Sequence, residues 1–215
     1  MPVSVPVPTK NPGDVLTSTL WNSYLRDNIN KMVNLGHRVL TVAQFAALTG
    51  LEDGDECYLE VDGTNGVEWH LRYMSAEPSA YKWRFLGGPP LYSVISTDEA
   101  ISGLGAWLNC TTVGADWTAV RSGDYIAQFS CRAQSPAGGA ATSHAGVANA
   151  SVSTTPIGPT VTADSTAASK YVALAGKTRL PGITSGQVIR MEYFAVTNLS
   201  LFGNRVLFIT PVRLI

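Results

Sequence analysis

The chain has 215 residues, of which 45% are apolar and only 14% charged, and its formal net charge is −1. That balance excludes an electrostatic nucleic-acid binder, and no apolar run approaches the length needed to span a membrane as a helix. The length permits one large domain or two small ones, and 20 Gly with 12 Pro point to many turns.

Residues 1–13 hold prolines at positions 2, 6, 8 and 12 with Val3, Val5 and Val7 set among the first three. Proline fixes φ and removes a donor, so this arm is expected to be extended, with no core of its own, and to lie on a neighbouring surface. The start lacks a basic region followed by an apolar core, so a chain made in the cytoplasm without a secretion leader is expected. A short amphipathic helix is predicted next, capped by Asp14 or Thr17. Its stripe Trp21, Leu25, Asn28, Met32, Leu35, Val39 has 4-3-4-3-4 spacing. Heptad-like spacing with a polar Asn28 in the seam suits a bundle of chains, while packing on the helix's own domain suits the same spacing. Residues 1–40 therefore form a candidate anchoring and oligomerisation segment.

Residues 41–90 read as a small β-rich module. The stretch VAQFAALTG suggests a helical turn or two. In ECYLEVDGTNGVEWHLRY, alternating residues flank DGTNG, a hairpin signal. YKWRFLGG alternates again, and Gly87-Gly88-Pro89-Pro90 stops it, marking the expected domain boundary. Charge also changes there: residues 1–91 carry 7 Lys/Arg and 10 Asp/Glu, and residues 92–215 carry 8 and 6. Residues 91–215 read as all-β, with strands in GDYIAQFSCRA, VIRMEYFAVTN and RVLFITPVRLI. The expected fold is mainly β, ending in an antiparallel β-sandwich of jelly-roll-like type. Residues 133–170 are dominated by Ala, Ser, Thr and Gly, small enough to let backbones approach closely, as at a symmetry axis.

Chemistry is sparse. His37, His70 and His144 lack metal-type spacing, and Cys57, Cys110 and Cys131 have no CxxC pair, so buried free thiols are expected. The acids Glu52, Asp53, Asp55, Glu56 and Asp62 depart from the calcium-loop pattern and read as a charged turn and a hairpin loop. YVALAGKT has Tyr171 where a phosphate loop needs its first glycine. No nucleophile elbow is present, and neither an enzyme nor a cofactor is expected. Aromatics crowd one module: Trp69, Tyr73, Tyr81, Trp83 and Phe85. Trp69, Tyr81 and Trp83 could stack on the apolar face of a sugar, but a fifty-residue module also needs large side chains to make a core, and that need favours the second reading.

Two stretches carry a family resemblance. Gly13, Leu16, Thr17, Trp21, Asn22, Leu25, Arg26, Asp27 and Asn28 meet the pattern G-x-x-[VL]-T-x-x-x-[LW]-N-x-x-[VL]-R-D-N. Trp83, Phe85, Gly87, Gly88, Pro89, Pro90 and Leu91 meet W-x-F-x-G-G-P-P-L. With the ending EYFAVTNLSLFGNRVLFITPVRLI, these resemble virion structural proteins of tailed bacteriophages, over about half of the chain. The resemblance implies a homo-oligomer, usually a trimer, bound to other virion proteins by its N-terminal arm and displaying a β domain outward. A tail fibre or minor tail protein that touches a host glycan is the implied role. A head-surface fibre or decoration protein has the same parts, and a carbohydrate-binding module is the further alternative. No nucleic acid or membrane partner is implied.

Overall fold

The computed structural model describes residues 39–135, 141–165, 171–196 and 200–215. The predicted anchor residues Val3, Val5, Val7, Trp21, Leu25, Asn28 and Met32 lie outside the described residues, as does the helix that would carry most of them. The chain divides into two compact units between Gly88 and Pro89, inside the Gly-Gly-Pro-Pro run. Gly88 has φ +126°, and a Cβ there would overlap the carbonyl oxygen of Glu68, so the run needs glycine at this point.

In the first unit, strand β1 (Val39–Leu40) pairs in parallel with β2 (Glu56–Asp62), which pairs antiparallel with β3 (Val67–Tyr73), and β3 with β4 (Trp83–Gly87). Between β1 and β2 a single turn, α1 (Val42–Ala46), is closed by a capping box. The Gln44 amide donates to Thr41 Oγ1 at 3.3 Å, and the Thr41 amide donates to Gln44 Oε1 at 3.0 Å. The helical turn expected in VAQFAALTG is this element. The DGTNG hairpin is fixed by Asp62, whose Oδ1 accepts from the amides of Thr64 and Asn65, each at 3.1 Å. Alternation drives one face inward: Cys57 and Leu59 on β2, and Val67, Trp69 and Leu71 on β3, are buried.

The second unit is an antiparallel β-sandwich of jelly-roll-like type. One sheet has β13 (Leu201–Leu214) at its centre, paired with β8 (Gly123–Gln134) on one side. The short strands β5 (Leu91–Ile95) and β6 (Glu99–Ala100) pair with its other side, and β11 (Tyr171–Ile183) pairs with β8. The other sheet runs β10 (Val161–Ser165), β9 (Ala141–Asn149), β12 (Val188–Ala195), β7 (Asp116–Thr118). Pairing is nested: β8 meets β13 and β9 meets β12, so the strands that run out are met in reverse order by those that return.

The two inner faces meet over Tyr125, Phe129, Leu174, Leu180, Ile189, Met191, Tyr193, Phe202 and Leu207, all buried. Tyr193 and Phe202 sit with ring centres 4.7 Å apart, and Trp117 and Tyr125 with theirs 5.0 Å apart, each pair joining one sheet to the other. Small residues serve this packing. A Cβ on Gly176 would strike the Phe129 ring, and one on Gly146 would strike Pro156. Gly146 of β9 thus admits the chain's own loop 150–160. All three cysteines are free and buried, as expected.

Candidate functional site

The aromatic residues proposed for sugar stacking come first. Trp69 is 0% exposed and Trp83 is 4% exposed. The Trp83 ring lies 5.0 Å from Phe45 on α1 and 5.5 Å from Tyr73, and Trp69 meets Phe85 edge-on at 6.4 Å. Neither indole offers a face to a ligand, so glycan contact by Trp69 and Trp83 is corrected to a core role. Tyr81 is half-buried, and its backbone both donates to and accepts from Ser79 Oγ. The three do not converge on one surface.

The acids of the first unit are bound into its own structure. Asp55 Oδ2 accepts from the Glu52 amide at 2.8 Å, and Asp53 Oδ1 accepts from the Ser75 amide. Glu56 meets His70 Nε2 at 2.9 Å and accepts from Arg72 Nε at 2.8 Å. The hydrogen bonds from Asn65 hold the Asp62 carboxyl below its usual range. No group of three or more His, Cys, Asp or Glu side chains among the described residues is placed to hold a metal. Burial pushes the thiols of Cys57 and Cys131 up to about 12 and that of Cys110 up to about 11, so they stay protonated and weakly nucleophilic near neutrality.

Two polar clusters organise the sandwich. Arg205 is 0% exposed, and its Nη1 donates to Thr112 O at 3.0 Å and Gly114 O at 3.4 Å. Its Nη2 donates to Glu99 Oε2 at 3.1 Å, and the Thr112 amide donates to the same oxygen at 2.7 Å. One guanidinium thereby ties β13 to the segment 99–114. The second cluster is Asp98, which receives Arg132 Nε at 3.0 Å, Arg132 Nη2 at 2.8 Å and the Tyr171 hydroxyl at 2.9 Å. Those bonds, Arg132's foremost, depress its carboxyl. A Cβ on Gly203 would overlap Asp98 Oδ1, so glycine at this bulge of β13 makes room for the cluster.

What the second unit leaves open lies on the outer face of its β13-centred sheet. Tyr92 and Val94 on β5 are 61% and 50% exposed, and Phe208 on β13 is 37% exposed. Tyr92 is directly opposite Phe208 and Val94 opposite Val206, so they form one apolar strip across two strands. Further along the same face, a pocket of about 320 Å³ is lined by Ile126 of β8, Lys177, Thr178 and Arg179 of β11, and Val212 and Arg213 of β13. The sequence reading missed both features. Their available signal was period-two spacing: Tyr92/Val94 in one strand and Lys177/Arg179 in the other share a face at i, i+2.

No protein-family model matches the chain, and no curated protein matches it. Among solved structures, 73% of the chain aligns with the CBM22-1 and GH10 modules of an endo-1,4-β-D-xylanase of Clostridium thermocellum, complexed with xylohexaose, at 14% identity and TM-score 0.29. Two structures of infectious bursal disease virus each align over 68% of the chain: the Gx strain at 11% identity and TM-score 0.36, and the Gt strain at 10% and 0.34. The chain spans 24% of the xylanase chain and 43% and 42% of the viral chains. These likenesses are too loose to bear on function.

Proposed function

We propose that the chain is a non-enzymatic structural protein of a tailed-phage particle, a tail-associated fibre or minor tail protein with a role in host attachment. Residues 1–40 anchor it and the β-sandwich is displayed outward, in a homotrimer. The observation that carries this reading is the apolar strip of Tyr92, Val94 and Phe208 on a sheet face. Contiguous apolar surface of that kind is costly to leave in water and marks a face that is covered in an assembly. A second copy of the chain is the occupant proposed here. The Gly13–Asn28 and Trp83–Leu91 motifs support the particle assignment, and the low density of charge suits a surface that meets other protein. The remaining polar groups support a structural role: buried thiols, paired acids, and an Arg205 spent on three backbone and side-chain partners.

Solution mass by light scattering tests the reading. The full chain is expected at three times its 22.9 kDa mass. The pair Tyr92→Lys and Phe208→Lys is expected to return it toward a single chain while its circular dichroism stays native. A wild-type chain that is monomeric at micromolar concentration would remove the support drawn from the strip.

A further inference from the structure

The strip on the outer face of the β13-centred sheet has a counterpart on the other side of the sandwich. On β12, Phe194 points outward between the buried Tyr193 and Ala195. It stands opposite His144 of β9, and the two rings meet edge-on with centres 5.3 Å apart. The Trp107 ring lies against both, 5.5 Å from Phe194 and 6.3 Å from His144. All three are only half-buried, and Val196, two residues beyond Phe194 and so on the same face, is 47% exposed. Leu104 beside them is 46% exposed, and the amide of the next residue, Gly105, donates to Ala195 O at 3.1 Å. The second unit therefore shows apolar surface on both of its outer faces.

Strand register gives the two faces the same polarity. Across the first sheet one row runs Tyr92 (β5), Phe208 (β13), Gln128 (β8), Lys177 (β11), each directly opposite the next. Across the second a row runs Phe194 (β12), His144 (β9), Thr162 (β10), with the paired Thr142 and Asp164 beside its outer end. Each row begins in aromatic rings and ends in polar side chains and a charge. The aromatic ends lie at one edge of the sandwich, where the Asp116 amide of β7 donates to Ser93 Oγ of β5 at 3.2 Å. The charged ends lie at the other edge, where β11 and β10 come together at Gly176 and Val161. Lys177 is exposed and has no hydrogen bond or ion pair among the described residues, while Arg179 beside it is taken by Asp124. Asp164 is exposed, receives the Thr142 hydroxyl at 2.6 Å and meets no cation among the described residues. Unpaired charges of opposite sign thus stand at matching places on opposite faces.

We propose that these two faces bind each other between copies of the chain, head to tail. The Tyr92–Val94–Phe208 strip of one copy covers the Trp107–Phe194–Val196 face of the next, and Lys177 meets Asp164 at the rim. This rests on the homotrimer proposed above and supplies its contact. Because both apolar ends flank one edge of the sandwich, each copy acts as a wedge with that edge toward the axis, and contact between two unlike patches closes into a ring of three. A strip-on-strip contact would instead leave the Trp107 face in water. The apolar rows supply affinity, and the ion pair at the rim fixes which face meets which.

Mixing two variants of the full chain tests this, with mass read by light scattering. Tyr92→Lys with Phe208→Lys removes the strip, and Leu104→Lys with Val196→Lys removes the opposite face at positions about half open to water. Each pair alone is expected to give single chains of 22.9 kDa with native circular dichroism. Mixed one to one, they are expected to form a dimer, because the intact strip of the second variant meets the intact Trp107 face of the first. A trimer that survives Leu104→Lys with Val196→Lys would overturn this contact and leave the strip reading standing, and so would a mixture that stays monomeric. A monomeric wild type would remove the strip reading and this contact together. The rim gives a test that leaves both apolar faces intact. Lys177→Glu is expected to weaken the assembly about fivefold, and Lys177→Glu with Asp164→Lys to restore it. A double variant as weak as the single one would overturn the pairing of the two faces at that rim.

Discussion

Glu192 on β12 points away from the sandwich core yet is 0% exposed, and neither of its oxygens has a well-formed hydrogen bond among the described residues. Its cross-strand neighbour is Gly146, where a side chain would strike Pro156, so the 150–160 loop passes over this spot. Burial raises the Glu192 carboxyl above its usual value, opposed by the Arg190 guanidinium 3.9 Å away. A raised folded-state pKa means that the fold holds the proton longer than the unfolded chain does. Stability from this group is therefore present in acid and falls as pH rises from the ordinary Glu range through the folded value. Glu192→Gln is expected to abolish that part of the pH dependence and to raise the melting temperature at neutral pH, as measured by thermal unfolding across a pH series. A variant with the wild-type pH profile would show that the carboxyl is not strained. Arg205 is the opposite case, a buried charge whose two terminal nitrogens both have partners in place. Arg205→Ala takes the charged donor from Glu99 and from two carbonyls and is expected to cost about 3–5 kcal/mol in denaturant unfolding. Arg205→Lys is not expected to restore it, because one ammonium cannot span the same three acceptors.

At the scale of elements, what the sequence made legible follows contrast between faces. The β2–β3 hairpin was readable because DGTNG announces its turn and apolar residues alternate on either side. β12 and β13 were readable for the same reason, being rich in large residues that alternate. β9 and β11 were not, because in ATSHAGVAN and YVALAGKTRL the inward and outward residues are nearly alike in size and polarity. Such strands are specified by what packs on them, Phe129 against Gly176 and Pro156 against Gly146, and those partners are far away in sequence. Pro181 also reads as a strand breaker, yet it falls in the bulge of β11 between Leu180 and Ile183, one of the places where a strand admits proline. The aromatic module was legible as a cluster, and a small module's need for large side chains favoured a core, although composition does not say which way each ring faces. Trp83→Ala is expected to lower stability by about 3–5 kcal/mol through the cavity left between Phe45 and Tyr73, read from the urea midpoint. A variant of unchanged stability would return Trp83 to the surface role first considered.

At the scale of the whole molecule, the outward strip on the β13-centred sheet sets how assembly through it responds to salt. The Tyr92–Phe208 strip is apolar, so association through it is expected to persist or strengthen as salt rises. Light scattering from low to molar salt checks this; an assembly that dissolves with salt would mean that charge, not the strip, joins the copies.

The nested pairing of strands has a consequence for synthesis. β13 is the central strand of its sheet, flanked by β8 on one side and by β5 and β6 on the other, although it is the last of them to be made. On the ribosome, β5 and β8 emerge with the place between them vacant, and this sheet cannot be completed until residues 201–214 clear the exit tunnel. Prematurely terminated copies would lack the middle of the sheet rather than an edge, and would be proteolysed before they could meet other subunits. The topology thus admits only chains translated through β13 to whatever assembly they enter, with the strand order serving as a check on length.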